Sequence, residues 1–144
     1  MAERIEIKSL SKNYKSHKVI KNMNVTFPGG KIIGILGPNG SGKSTLIKML
    51  AGVLQPNTGQ ILIDGNPVGV KSKAMVSYLP ERTYLNPSKK VCDIIAFFKD
   101  FYADFSPERA NTMLEKFGVD PQAKIKSLSK GMREKVQIVL VMSR

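Results

Sequence analysis

Gly37-Pro38-Asn39-Gly40-Ser41-Gly42-Lys43-Ser44 fits the pattern GxxxxGK[ST]. Glycines at these positions let the backbone turn its N–H groups inward, so that the loop becomes a concave nest for an anion. A helix that follows adds the positive end of its dipole. Lys43 reaches the β- and γ-phosphates of a bound nucleotide, and the Ser44 hydroxyl is a Mg²⁺ ligand. Thr45 reaches a phosphate oxygen one step further in. Residues 37–45 are therefore candidates for holding a nucleoside triphosphate and its metal. Two further groups suit the same ligand. The ring of Tyr14 is able to stack on a purine. Leu128-Ser129-Lys130-Gly131-Met132 opens a helix with a small hydroxyl residue and a glycine, whose N–H groups make a second possible phosphate site.

These residues need elements to place them. Arg4 to Leu10 alternates Ile5 and Ile7 with charged residues, as a half-buried strand does. Val19 to Phe27 is a second extended candidate, followed by the turn signal Pro28-Gly29-Gly30. Lys31 to Leu36 is short, apolar and β-branched, which predicts a buried strand running into the glycine-rich loop. Ser44 to Ala51 reads as a helix stopped by Gly52 and Pro56. Gln60 to Ile63 and Ala74 to Leu79 read as strands, the first closed by an Asp64-Gly65 turn.

From Glu81 onward the pattern turns helical. Val91 to Tyr102 is apolar at helical spacing, with Phe97, Phe101 and Phe105 in one series. Ser106-Pro107-Glu108 is a helix start and Gly118 a stop. A final helix runs from Met132, and Ile138 to Met142 is apolar all round, as a fully buried helix is. The aromatic residues between 97 and 105 read as core, or in part as the lining of a cleft for a partner. His17 lies in the polar stretch Lys15-Ser16-His17-Lys18 and reads as a solvated loop residue.

Composition narrows the class. The chain of 144 residues is 42% hydrophobic and 24% charged, which fits a globular protein and argues against disorder. Its one cysteine, Cys92, excludes an intrachain disulfide, and no Cys/His cluster offers a zinc site. No apolar run reaches the length of a membrane span, and the N-terminus lacks a signal-peptide pattern. Lys and Arg total 23 against 11 for Asp and Glu, a net charge of +12 that favours an anionic partner. The basic residues are scattered and form no arm, so nucleic acid is not the expected ligand.

The order of motifs is the most specific feature. An aromatic residue, the phosphate loop, a segment ending Tyr78-Leu79-Pro80-Glu81, a helical insert and the Ser-Lys-Gly turn follow one another. This order resembles the nucleotide-binding subunit of ATP-binding cassette (ABC) transporters. The resemblance spans the whole chain. It implies an α/β fold: a P-loop NTPase core with an antiparallel β part and an inserted helical subdomain, incomplete at the C-terminus. On this reading residues 1–80 are the first part of the core, 81–128 the helical subdomain, and 129–144 the signature turn with the start of its helix.

The resemblance also implies roles. Tyr14 matches the adenine-stacking aromatic. Gly37, Pro38, Asn39, Gly40, Ser41, Gly42, Lys43, Ser44 and Thr45 match the ATP loop, with Lys43 acting on the transferred phosphate. Glu81 stands where the family has the Gln of its Q-loop, and a carboxylate is the stronger Mg²⁺ ligand, so Ser44 and Glu81 are the expected metal ligands. Ser129, Lys130 and Gly131 match the family's signature, with Lys130 and Met132 in place of the usual Gly and Gln. The implied activity is ATP hydrolysis with Mg²⁺, powering transport through an integral membrane subunit. The implied assembly is a head-to-tail dimer on the cytoplasmic face of the membrane, in which ATP on one loop meets the signature turn of the other copy. The signature variants resemble exporter-type branches. The alternative is a non-transport ABC ATPase acting on nucleic acid or the ribosome. No apolar run ends in Asp-Glu, so the family's general-base Glu and its later elements are expected to be missing from these residues.

Overall fold

A computed structural model describes residues 3–144. The chain divides into two compact units, Met1–Val76 and Ser77–Arg144.

The first unit is built on an antiparallel sheet. Strand β1 is Glu3–Tyr14 and β2 is His17–Pro28. Strand β3 is Thr58–Ile63, β4 is Asn66–Pro67, and the sheet order is β2-β1-β3-β4. Alternation buries Ile7 of β1 against Ile61 and Ile63 of β3. The phase then changes, because Leu10, not Ser9 or Ser11, is the next fully buried position. A β-bulge causes it: the register slips between Lys8 and Ser11, and Ser9 takes a φ of 50°. Ser9 N–H donates to Asn24 Oδ1 at 2.8 Å, which satisfies an amide the ladder has released. Helix α1, Lys43–Leu50, covers this core with Leu46 and Met49, three residues apart on one face.

Two expected strands are absent from this unit. Lys31 to Leu36 pairs with nothing among the described residues, and Ile32 and Leu36 are exposed. Its composition suits a strand buried on both faces, but composition cannot supply a ladder partner. Ala74 to Leu79 is also not a strand. Residues Val70–Met75 form a short helix, α2, and residues 76–80 are irregular. The helix is closed locally by Ser72, which is buried: Gly69 N–H donates to Ser72 Oγ at 2.8 Å, and the hydroxyl donates to Gly69 O at 3.1 Å.

The second unit is helical. Helix α3 is Val91–Phe101, α4 is Pro107–Phe117 and α5 is Lys130–Met142. In α3 the buried stripe is Val91, Ile94, Ile95 and Phe98, the i, i+3, i+4, i+7 pattern. The series Phe97, Phe101, Phe105 is not the core face, since Phe97 and Phe101 are exposed and α3 ends at Phe101. Phe105 reaches the core from beyond the helix, its ring 5.7 Å from that of Phe98. Helix α5 meets the same core through Val136, Val139 and Leu140. It is not buried all round, because Ile138 and Met142 face outward.

Helix α4 shows how its ends are set. Ser106 Oγ accepts the Arg109 N–H at 3.2 Å, Pro107 needs no acceptor, and Gly118 closes the helix at φ 66°. Ser106→Ala is expected to cost about 1 kcal/mol. A thermal melt should show it as a fall of roughly 4 °C, and an unchanged midpoint would show that the cap contributes nothing.

Candidate functional site

The glycine-rich loop sits between an irregular segment and α1. Ser41 N–H donates to Pro38 O at 3.2 Å, which tightens the loop. Gly42 is the residue before α1 and takes φ 92°, in the left-handed region. A Cβ there would stand 2.9 Å from Val19 Cγ1 and 3.2 Å from Val19 O, so glycine is needed both for its φ and for the close approach of β2. The first bond of α1 runs from Leu46 N–H to Gly42 O at 2.8 Å. The amides before it belong to the turn that a helix leaves to other acceptors.

Lys43 Nζ donates to Gly37 O at 2.6 Å and to Pro38 O at 2.7 Å, and lies 3.5 Å from Ser41 Oγ. The loop therefore folds around its own ammonium group. Asn39, Gly40, Gly42, Lys43, Ser44 and Thr45 line one cavity of about 380 Å³ with Val19 and His17. It combines an ammonium group, hydroxyls and a helix N-terminus, the elements of an anion site. Ser44 and Thr45 supply hydroxyl oxygens suited to a hard cation.

Tyr14 is at the end of β1, opposite His17, and is 47% exposed. Lys12 Nζ stands 5.6 Å from the centre of its ring. Tyr14 does not line the 380 Å³ cavity, whereas His17 does. His17 is in strand β2, not in a loop as its polar neighbours suggested. The signal for this was the spacing of Tyr14 and His17, three residues apart across a two-residue turn at Lys15-Ser16.

The other candidates lie in the helical unit. Ser129 is the N-cap of α5, its Oγ accepting the Met132 N–H at 3.2 Å. Its hydroxyl hydrogen is left to donate. Lys130 makes an exposed ion pair with Glu134 at 3.9 Å, worth little by itself. Glu81 and Lys130 line one cavity of about 440 Å³ with Arg82, Arg133 and Gln137. Gln137 is 4% exposed, and its Nε2 has no hydrogen-bond partner among the described residues. A second groove of about 370 Å³ is apolar, with Tyr84, Ile94, Phe97 and Phe98 on its walls. Burial and the neighbouring Tyr102 push the Tyr84 hydroxyl above its ordinary pKa of 10.0. No helix of the described residues is long and apolar enough to cross a membrane.

The sheet, the glycine-rich loop with its helix, and the helical unit define a P-loop NTPase core of the α/β class. Similarity to known proteins agrees: a family model described as ABC transporter matches residues 20–144. The chain belongs to the ABC transporter family. It is 31% identical over 142 residues to the lipopolysaccharide export system ATP-binding protein LptB of Escherichia coli strain K12, covering 91% of this chain and 59% of that protein. A solved ATP-binding subunit of an ABC transporter superposes with a TM-score of 0.85 at 26% identity, over 96% of this chain and 61% of that one. A putative ABC transporter ATP-binding protein from Pyrococcus furiosus gives 0.83 at 29% identity, over 97% and 70%. The chain thus spans about three-fifths of the LptB length.

Proposed function

We propose that this chain carries the ATP-holding part of an ABC transporter ATP-binding subunit. The loop from Gly37 to Thr45 takes the triphosphate, with Lys43 on the outer phosphates. Ser44 would hold Mg²⁺, with Glu81 as the second ligand that the resemblance implies, and the ion would supply charge neutralisation to the phosphates when bound. Tyr14 flanks the adenine. Ser129, Lys130 and Gly131 present the start of α5 to the ATP of a second subunit in a head-to-tail dimer. The apolar groove at Tyr84 and Phe97 receives a membrane transport subunit, which places the assembly on the cytoplasmic face of the membrane. The signature variants favour an exporter.

The observation that carries this reading is the Lys43 ammonium, held 2.6 and 2.7 Å from two carbonyl oxygens of its own loop beside the cavity. A flexible cation parked on neutral acceptors has little to lose by turning to a phosphate, which is a stronger acceptor. Turnover needs more, because general-base catalysis requires a placed base and no Asp-Glu pair occurs in the sequence. Residues 1–144 should therefore bind Mg-ATP and hydrolyse it negligibly. Calorimetry with ATP and a steady-state phosphate-release assay test both halves. Absence of ATP binding would reject the site, and turnover matching a complete subunit, lost in Lys43→Ala, would reject the second half.

A further inference from the structure

We infer that the cavity between residues 81–83 and helix α5 receives a carboxylate, held by Arg82, Arg133 and the Gln137 amide. All of its walls belong to the helical unit, so it is open to test without nucleotide. Helical spacing builds one wall. Lys130, Arg133, Glu134 and Gln137 are i, i+3, i+4 and i+7, one face of α5. The facing segment is irregular and is anchored by Leu85, which is buried in the helical core. Thr83 Oγ1 accepts the Leu85 N–H at 3.4 Å, which leaves its own hydroxyl hydrogen to donate.

Unpaired donors call for an anion. Neither guanidinium, of Arg82 or of half-buried Arg133, has a hydrogen bond or ion pair among the described residues. Gln137 is buried and its Nε2 also lacks an acceptor there. A donor in that state gains from any acceptor that reaches it. The amide turns on a broad torsion, so its N–H groups can swing to the cavity side. Charge then selects the ligand. Lys130 and Glu134 pair at 3.9 Å and cancel. Two guanidinium groups remain against the Glu81 carboxylate, a surplus of one positive charge. A monoanion matches it, whereas a multiply charged phosphate is repelled by Glu81. The planar fork of an arginine fits the two oxygens of a carboxylate. A volume of about 440 Å³ leaves room for the carbon skeleton that bears it.

Titration of the 144-residue chain, followed by NMR of its side-chain amides in magnesium-free buffer, tests the site. The probes are N-acetyl-glutamate amide, its neutral glutamine counterpart, acetate and inorganic phosphate. The glutamate probe should bind about tenfold more tightly than the glutamine probe or phosphate, and shift the Gln137 side-chain N–H signals. Acetate that matches it marks a small free acid as the occupant, and weaker acetate binding marks an acid carried on a peptide-like body; both uphold the site. Arg82→Gln and Arg133→Gln should each weaken the glutamate probe about tenfold, and Arg133→Lys should recover little, because an ammonium lacks the fork. Both side chains lie outside the hydrophobic core, and a cooperative melt of each variant checks that the fold is kept. No saturable shift with the glutamate probe, equal binding of the glutamine probe, preference for phosphate, unmoved Gln137 signals, or unchanged affinity in both glutamine variants would each overturn the assignment.

Discussion

Lys43→Ala is expected to lower ATP affinity by about 30-fold or more, the loss of one or two charge-assisted hydrogen bonds at roughly 1.5–3 kcal/mol each. The substitution acts twice. It removes the cation that meets the phosphates, and it takes one donor from Gly37 O and one from Pro38 O, leaving the Ser41 N–H to Pro38 O bond as the loop's remaining tie. Lys43→Arg should recover little, because a planar fork is wider than an ammonium and the same two carbonyls must share it. Calorimetric titration at fixed salt measures both variants. An affinity for ATP within threefold of the parent, in a chain that still melts cooperatively, would remove Lys43 from the site.

The second large effect concerns stability and falls on a residue with no chemistry. Gly59 takes φ 82°, and a Cβ there would collide with the backbone of Ser9 and Lys8. Those atoms are ladder backbone and cannot rotate aside. Gly59→Ala is expected to cost more than ~3 kcal/mol, combining left-handed strain with a backbone clash. Gly30 is the control. It also has a positive φ, 68°, but a Cβ there would meet nothing within 4 Å, so Gly30→Ala isolates the strain, about 1 kcal/mol. Urea denaturation of both variants separates the two causes. Similar losses in both would show that the crowding at Ser9 is not felt.

Gly59 also shows where reading the sequence stops. The bulge at Ser9 needs a glycine across the ladder, yet neither residue signals the other, since they lie far apart in the chain. Local signals served better. The loop from Gly37 to Ser44 carries its geometry within eight residues, and Ser106, Pro107 and Gly118 mark both ends of α4. Segments whose state depends on distant partners carry no such mark. Lys31 to Leu36 has strand composition and no ladder among the described residues; the strand expected over Ala74 to Leu79 fails for a nearer reason, since buried Ser72 closes a helical turn on Gly69 just before it. His17 belongs to a strand for a similar reason: its place is set by the strand opposite, through its pairing with Tyr14, and not by its polar neighbours.

The exposed side chains of Ile32, Ile33 and Leu36 have a consequence for how the chain is expected to behave in solution. Exposed apolar side chains favour association of two copies, while a net charge of +12 opposes it. The balance is set by the ionic medium. Repulsion reaches about 10 Å at 0.1 M salt but only about 3 Å at 1 M, whereas apolar attraction is not screened. Concentrated salt is expected to weaken anion binding at the loop and the repulsion between copies together, which light scattering and an ATP titration across a salt series would check.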